Sequence, residues 1–169
     1  MNNIDEIWAA DLIDMQAFSN DNNGIKYLLT VIDIFSQFVL IVPLKRKIGQ
    51  EVANAFSGIL KARRPSIILV DKGPGCYNKL VAVYSTENEE KSCVIERCDK
   101  TIKENMFKYV SANNTRKFVD VLNLLVDQYN NTIHLSIKMT AKIRKMKIKC
   151  GEIYIQNLVV RPWHKIFDW

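Results

Sequence analysis

The sequence predicts an α/β domain, with a mixed central sheet of three antiparallel strands plus two parallel ones, flanked by helices. Three observations carry this expectation. Apolar, β-branched runs crowd into residues 7–44, a helical period follows from Gly49 to Arg64, and SIILV at 66–70 is a short continuous apolar run. A run of the last kind is the mark of a strand covered on both faces, as in a parallel sheet between helices.

Each element follows in order. IWAADLIDM (7–15) is the first strand, and the polar SNDNNG (19–24) turns the chain back. KYLLTVIDIFSQFVLIVPL (26–44) holds two apolar runs split at Asp33 to Gln37, a meander that closes at Pro43. Val52, Ala53, Phe56, Ile59 and Leu60 then recur with the period of an amphipathic helix. After Pro65 the fourth strand, 66–70, delivers Asp71 at its C-terminal end, and LVAVYS (80–85) reads as a fifth. Ile95, Cys98, Ile102, Met106 and Tyr109 stripe one face of a long helix, NNT (113–115) breaks it, and RKFVDVLNLLVDQYNN (116–131) is a further helix. Residues 1–142 are read as one domain and 143–169 as a basic C-terminal extension.

At 169 residues and 48% hydrophobic composition, the chain has material for one sizeable core. No stretch nears the ~18 apolar residues that cross a bilayer, and MNNIDEIWAADLIDM lacks a basic region followed by an apolar one, so an intracellular protein without membrane contact is expected. Cys76, Cys93, Cys98 and Cys150 form no C-x-x-C pair and have no histidine pair nearby, which argues for reduced thiols over zinc ligands or a disulfide framework.

Charge is distributed unevenly. Residues 1–60 carry 4 basic and 7 acidic side chains and residues 61–169 carry 20 and 11, within a net charge of +6. KMTAKIRKMKIK (138–149) has six basic residues and no acid. That is the footprint of a phosphate-backbone contact, and equally of a solvated helix face.

Three carboxylates are candidates for chemistry: Asp11 on the first strand, Asp71 at the end of the fourth and Glu96 on the long helix. Adjacent first and fourth strands bring Asp11 and Asp71 together, and carboxylates so gathered repel unless cations neutralise them. Magnesium suits hard oxygen ligands and phosphate chemistry. Bland readings stand beside these. Asp14 competes with Asp11, Asp71 beside glycine is a common turn residue, and Glu96 is spaced to pair with Lys100.

The residues also resemble a known family. WAADLIDM (8–15), YLLTVIDIFSQFVLIVPLKRKIGQEVANAF (27–56), VDKG (70–73), YSTENEEKSCVIERCDKTIKEN (84–105) and YNNTIHLSIKMT (129–140) are similar to the catalytic core of retroviral-type integrases, most like those of Maverick/Polinton-type transposons. The resemblance implies an RNase H-like fold and a D, D, E metal site made by Asp11, Asp71 and Glu96. It implies two Mg2+ (or Mn2+) ions, DNA as partner, DNA integration by phosphodiester cleavage and strand transfer, a homo-oligomer and a nuclear location. Arg97, Lys100 and Lys103 on the long helix, with Lys142, Arg144, Lys145, Lys147 and Lys149 beyond it, become DNA-contacting residues.

The chain departs from the family between the second and third carboxylates. Only 24 residues separate Asp71 from Glu96, short of the family spacing by about 11 residues, or roughly three helical turns. The helix between strands 4 and 5 is therefore expected to be missing, leaving a loop through Gly73, Pro74 and Gly75. A catalytically inactive nucleic-acid-binding remnant is the alternative function.

Overall fold

The computed structural model describes residues 3–70 and 92–144. Strand β1 (Ile7–Asp14) is followed by a 3-10 turn at Gln16–Asp21, β2 (Tyr27–Asp33), β3 (Val39–Leu44), helix α1 (Gly49–Ala62) and β4 (Ile67–Val70). Helix α2 (Ser92–Ala112), a 3-10 turn at Val119–Val121, α3 (Leu122–Asn131) and a short pair, β5 (Ile133–His134) and β6 (Met139–Thr140), complete the described elements. The expected fifth strand (80–85), the shortened link and Asp71 lie outside the described residues.

The main sheet has the order β3-β2-β1-β4. β1 runs antiparallel to β2, β2 antiparallel to β3, and β1 parallel to β4. The three-strand meander and the parallel fourth strand are thus as the apolar runs foretell. The first hairpin closes through Asn23 and Gly24, both at positive φ, with Gly24 at +77°, a backbone state that glycine adopts without a Cβ penalty. β3 is an outer strand, so Pro43 costs no ladder bond there. Asn130 covers the open edge: its amide accepts from Val39 N at 2.9 Å and donates to Val39 O at 3.0 Å.

Alternation along the strands splits the core in two. Trp8, Ala10, Leu29, Val31 and Ile68 pack against Val52, Phe56 and Ile59 of α1. Ile7, Ala9, Ile13, Leu28, Ile32 and Leu69 pack on the other face, against Ile95, Cys98, Ile102 and Met106 of α2 and Leu122, Leu125 and Tyr129 of α3. The sheet is therefore covered on both sides, and truncating a fully buried anchor such as Phe56 to alanine is expected to cost about 3–5 kcal/mol.

The last helix starts later than its sequence pattern suggests. Residues 116–118 are held instead by Asn22, whose side chain accepts from Phe118 N at 2.7 Å and Val119 N at 3.0 Å and donates to the carbonyls of Phe18 and Arg116. All four hydrogen bonds of a buried amide are made, which outweighs the helical propensity of this segment. Phe118 is thereby pinned in the core.

Candidate metal and nucleic-acid site

Asp11 lies midway along β1 opposite Thr30 of β2, on the face that α2 covers. Its own strand neighbours on that face, Ala9 and Ile13, are buried and apolar, so the carboxylate emerges between the sheet and the helix. The register of β1 with β4 runs from Ile7↔Ile67 to Ala10↔Val70. In the sequence Asp11 follows Ala10 and Asp71 follows Val70, and Asp71 lies outside the described residues.

Across from Asp11, α2 presents Glu96, Asp99, Lys100, Lys103, Glu104 and Phe107, which with Asp11 line a groove of about 350 Å³. Positions 96, 99, 100 and 103 repeat at three and four residues, so they share one helix face. Glu96 and Lys100 are exposed and Lys103 is half-buried. Asp14, the competitor of Asp11, is an exposed carboxylate at the end of β1. It accepts from Gln16 N and Gln16 Nε2, both at 2.9 Å, and these hydrogen bonds hold its pKa below the usual carboxylate range.

Asp99 is the residue that sequence reasoning passed over. Only 6% of it is exposed, and its Oδ1 has no hydrogen-bond partner among the described residues, nor has the neighbouring Thr30 Oγ1. Burial pushes its carboxyl up to about 7, the Thr30 hydroxyl opposes the rise, and the Asp11 carboxylate beside it adds to it. Lys103, one turn further along α2, offsets this only weakly. A signal was present in the sequence, since Asp99 stands three residues after Glu96 and directly after Cys98 of the core stripe.

The donor chemistry fits a hard cation. Two apposed carboxylates, one with an orphaned buried oxygen, are an oxygen-rich set of the kind that magnesium or manganese prefers. Among the described residues no three acidic, histidine or cysteine side chains stand together as a metal cluster. Asp71 lies outside those residues.

The predicted basic contacts fall into separate places. Lys100 and Lys103 rim the Asp11 groove. Arg97 instead lines a second groove of about 280 Å³ with Gln37, Cys98, Tyr129 and His134. In that groove burial pushes the Cys98 thiol up to about 12 and pulls His134 down. Lys142 is exposed, whereas Arg144 lies over the Phe35 ring at 3.9 Å in a cation–π contact. Lys145, Lys147 and Lys149 lie outside the described residues.

The mixed sheet with its parallel β1–β4 pair, covered by helices, has integrase-core structures among its neighbours, consistent with an RNase H-like α/β fold. The chain is similar to a chain of the simian T-cell lymphotropic virus intasome, solved in complex with PP2A regulatory subunit B56 gamma, at 19% identity and a TM-score of 0.68, over 94% of this chain and 59% of that one. It is similar also to the HTLV-2 integrase catalytic core domain, solved with magnesium in a trimeric form, at 18% identity and a TM-score of 0.65, over 82% of this chain and 95% of that one. In sequence it is 34% identical over 134 residues to an uncharacterized transposon-derived protein of Caenorhabditis elegans. That match takes in 73% of this chain and 47% of the relative, so the chain spans about half the relative's length. No family model matches the chain. No helix among the described residues is long and apolar enough to cross a membrane.

Proposed function

We propose that this chain is the catalytic-core domain of a transposon-derived integrase, of the Maverick/Polinton type, which binds DNA and carries out magnesium-dependent phosphodiester cleavage and strand transfer. The observation that carries the reading is the groove itself, in which Asp11 and Glu96 face a shared space bordered by Lys100 and Lys103 on an integrase-core-like fold. Asp71 follows Val70, whose strand partner is Ala10, and is proposed to join Asp11 as the second acidic ligand. Bound Mg2+ or Mn2+ would supply charge neutralisation at the scissile phosphate and activation of the attacking hydroxyl.

The protein's own groups have distinct tasks. Asp11, Asp71 and Glu96 supply oxygen ligands. Lys100 and Lys103 draw the phosphate backbone to the rim, and Lys142, with Lys145, Lys147 and Lys149 of the same basic stretch of sequence, is proposed to add phosphate contacts. Assembly into a homo-oligomer and a nuclear location go with this reading, because the two similar solved structures are described as an intasome and as a trimeric form of an integrase catalytic core, and the proposed substrate is DNA. The test is nicking and strand transfer on branched DNA by the purified chain. Magnesium-dependent product lost in Asp11→Asn and Glu96→Gln is the expected result, and no product under any divalent ion would refute the enzyme.

The remnant reading, a DNA-binding domain without chemistry, draws support from the 24 residues between Asp71 and Glu96. It predicts salt-sensitive DNA affinity that is indifferent to Asp11→Asn.

A further inference from the structure

The site residues proposed so far leave Asp99 without a task, and among the described residues only the Thr30 hydroxyl and a distant Lys103 ease its charge. A buried ionised carboxylate is costly unless charges or hydrogen bonds compensate it. Elsewhere in this molecule they do: Asp33, 2% exposed, accepts from the backbone N–H groups of Asp5, Phe35 and Ser36 and from the Arg63 guanidinium. Asp99 has no such set. Its Oδ1 is orphaned among the described residues, its carboxyl faces that of Asp11, and both line the groove.

The placement is a consequence of the elements. Asp11 is fixed by the β1–β2 register opposite Thr30. Asp99 is fixed by its neighbours on α2, Ile95, Cys98 and Ile102, all packed on the same sheet face. Asp11 is part-buried and accepts from Leu12 N at 2.7 Å, whereas Asp99 is buried and cannot retreat to solvent without moving the helix, so strand and helix hold the two carboxyl groups side by side. Such an arrangement has its natural complement in a cation small enough to enter and hard enough to prefer oxygen.

We propose that Asp99 is a metal-binding carboxylate of this groove, holding one hard divalent cation of the magnesium or manganese class jointly with Asp11. The inference rests on the proposed metal-binding role of Asp11 but not on strand transfer, and it adds a ligand one turn along α2 from Glu96.

The experiment is a titration of the full 169-residue chain with Mn2+, read by the loss of the free-ion electron paramagnetic resonance signal. The wild type, Asp11→Asn, Asp99→Asn and Glu96→Gln are compared, each checked for folding by circular dichroism. Asp99→Asn is expected to weaken Mn2+ binding by at least the ~10–100-fold that loss of a mere supporting partner costs a metal site. Should Asp99→Asn not fold, Asp99→Ser carries the same comparison, and Asp99→Glu is expected to retain more affinity than either. If Asp11→Asn loses the ion while folded Asp99 variants bind like the wild type, the Asp99 assignment is overturned and the Asp11 reading stands. If the wild type takes up no Mn2+, or Asp11→Asn binds unchanged, both fall.

Discussion

Asp33 and Asp99 are both buried acids on one sheet scaffold, and the protein treats them in opposite ways. Around Asp33 the chain closes a complete network. Arg63, its side chain 9% exposed, bridges Asp5 and Asp33 and lies over the rings of Trp8 and Phe38, while Trp8 Nε1 donates to Asp5 at 3.2 Å. Around Asp99 and Asp11 no salt bridge to either carboxylate is formed among the described residues, Asp11 accepts from Leu12 N at 2.7 Å, and Lys100 and Lys103 line the same groove. The difference teaches how to tell a structural carboxylate from a functional one: the first is satisfied from within the chain, and the second is left for something the chain does not contain.

The largest effect that tests this contrast is at the closed cluster. Arg63→Ala takes the only cation from buried Asp33 and part-buried Asp5 among the described residues, and denaturant melts are expected to show a loss of about 3–5 kcal/mol. A loss below about 1 kcal/mol would mean that the network is no more built than the groove.

The open cluster should respond with the opposite sign. In metal-free protein, Asp99→Asn is expected to raise stability at pH 8, by an amount whose ceiling is about 4 kcal/mol for a rise from 3.8 to about 7. The sign follows from proton counting. Between those two values the folded state keeps a proton that the unfolded chain has released, so stability falls as pH rises across this window and stays low above it. The gain from Asp99→Asn should therefore fade toward pH 4. Melts at pH 4, 6 and 8 with chelator present measure it, and a pH-independent difference would contradict the assignment. Asp33→Asn, in contrast, is expected to destabilise at pH 8.

The rim gives a further distinction. Neutralising Lys100 and Lys103 together is expected to weaken DNA binding and reduce the slope of log affinity against log salt by about 2, or somewhat less. Fluorescence anisotropy across a salt series reads this, and an unchanged slope would remove these lysines from the DNA path. The smallest effect belongs to the second groove, where burial holds the His134 pKa below its usual 6.5. Protonation of the unfolded chain is then favoured first, so stability declines as pH falls through 6.5, and His134→Gln should blunt that decline in the same melts.

Much of this arrangement is legible in the sequence. The β-branched runs at 26–44 specify the meander, SIILV specifies a covered strand beside the first, and the stripe Ile95, Cys98, Ile102, Met106 fixes which side of α2 meets the sheet. Asp11 and Asp14 are both legible as carboxylates of the first strand, and the groove is lined by Asp11. Asp99 is not legible as a site residue, because a charge on a helix reads as solvent-facing unless the width of the buried face is known, and that width depends on the strand packed beneath it. The late start of α3 was hidden for a similar reason, since the amide of Asn22 comes from a turn 96 residues away from the Phe118 N–H it satisfies. Arg144 shows the limit of charge counting: a basic run says nothing of the Phe35 ring that takes one of its members.

The claim that the open cluster is a metal site is tested most directly by diffraction from crystals of the chain soaked in Mn2+, with data collected for the anomalous signal of manganese. The account predicts a peak in the groove contacted by Asp11 and Asp99, and none at Asp5, Asp33 and Arg63. A groove without a peak in crystals that admit the ion, or a peak ligated by neither Asp11 nor Asp99, would contradict it.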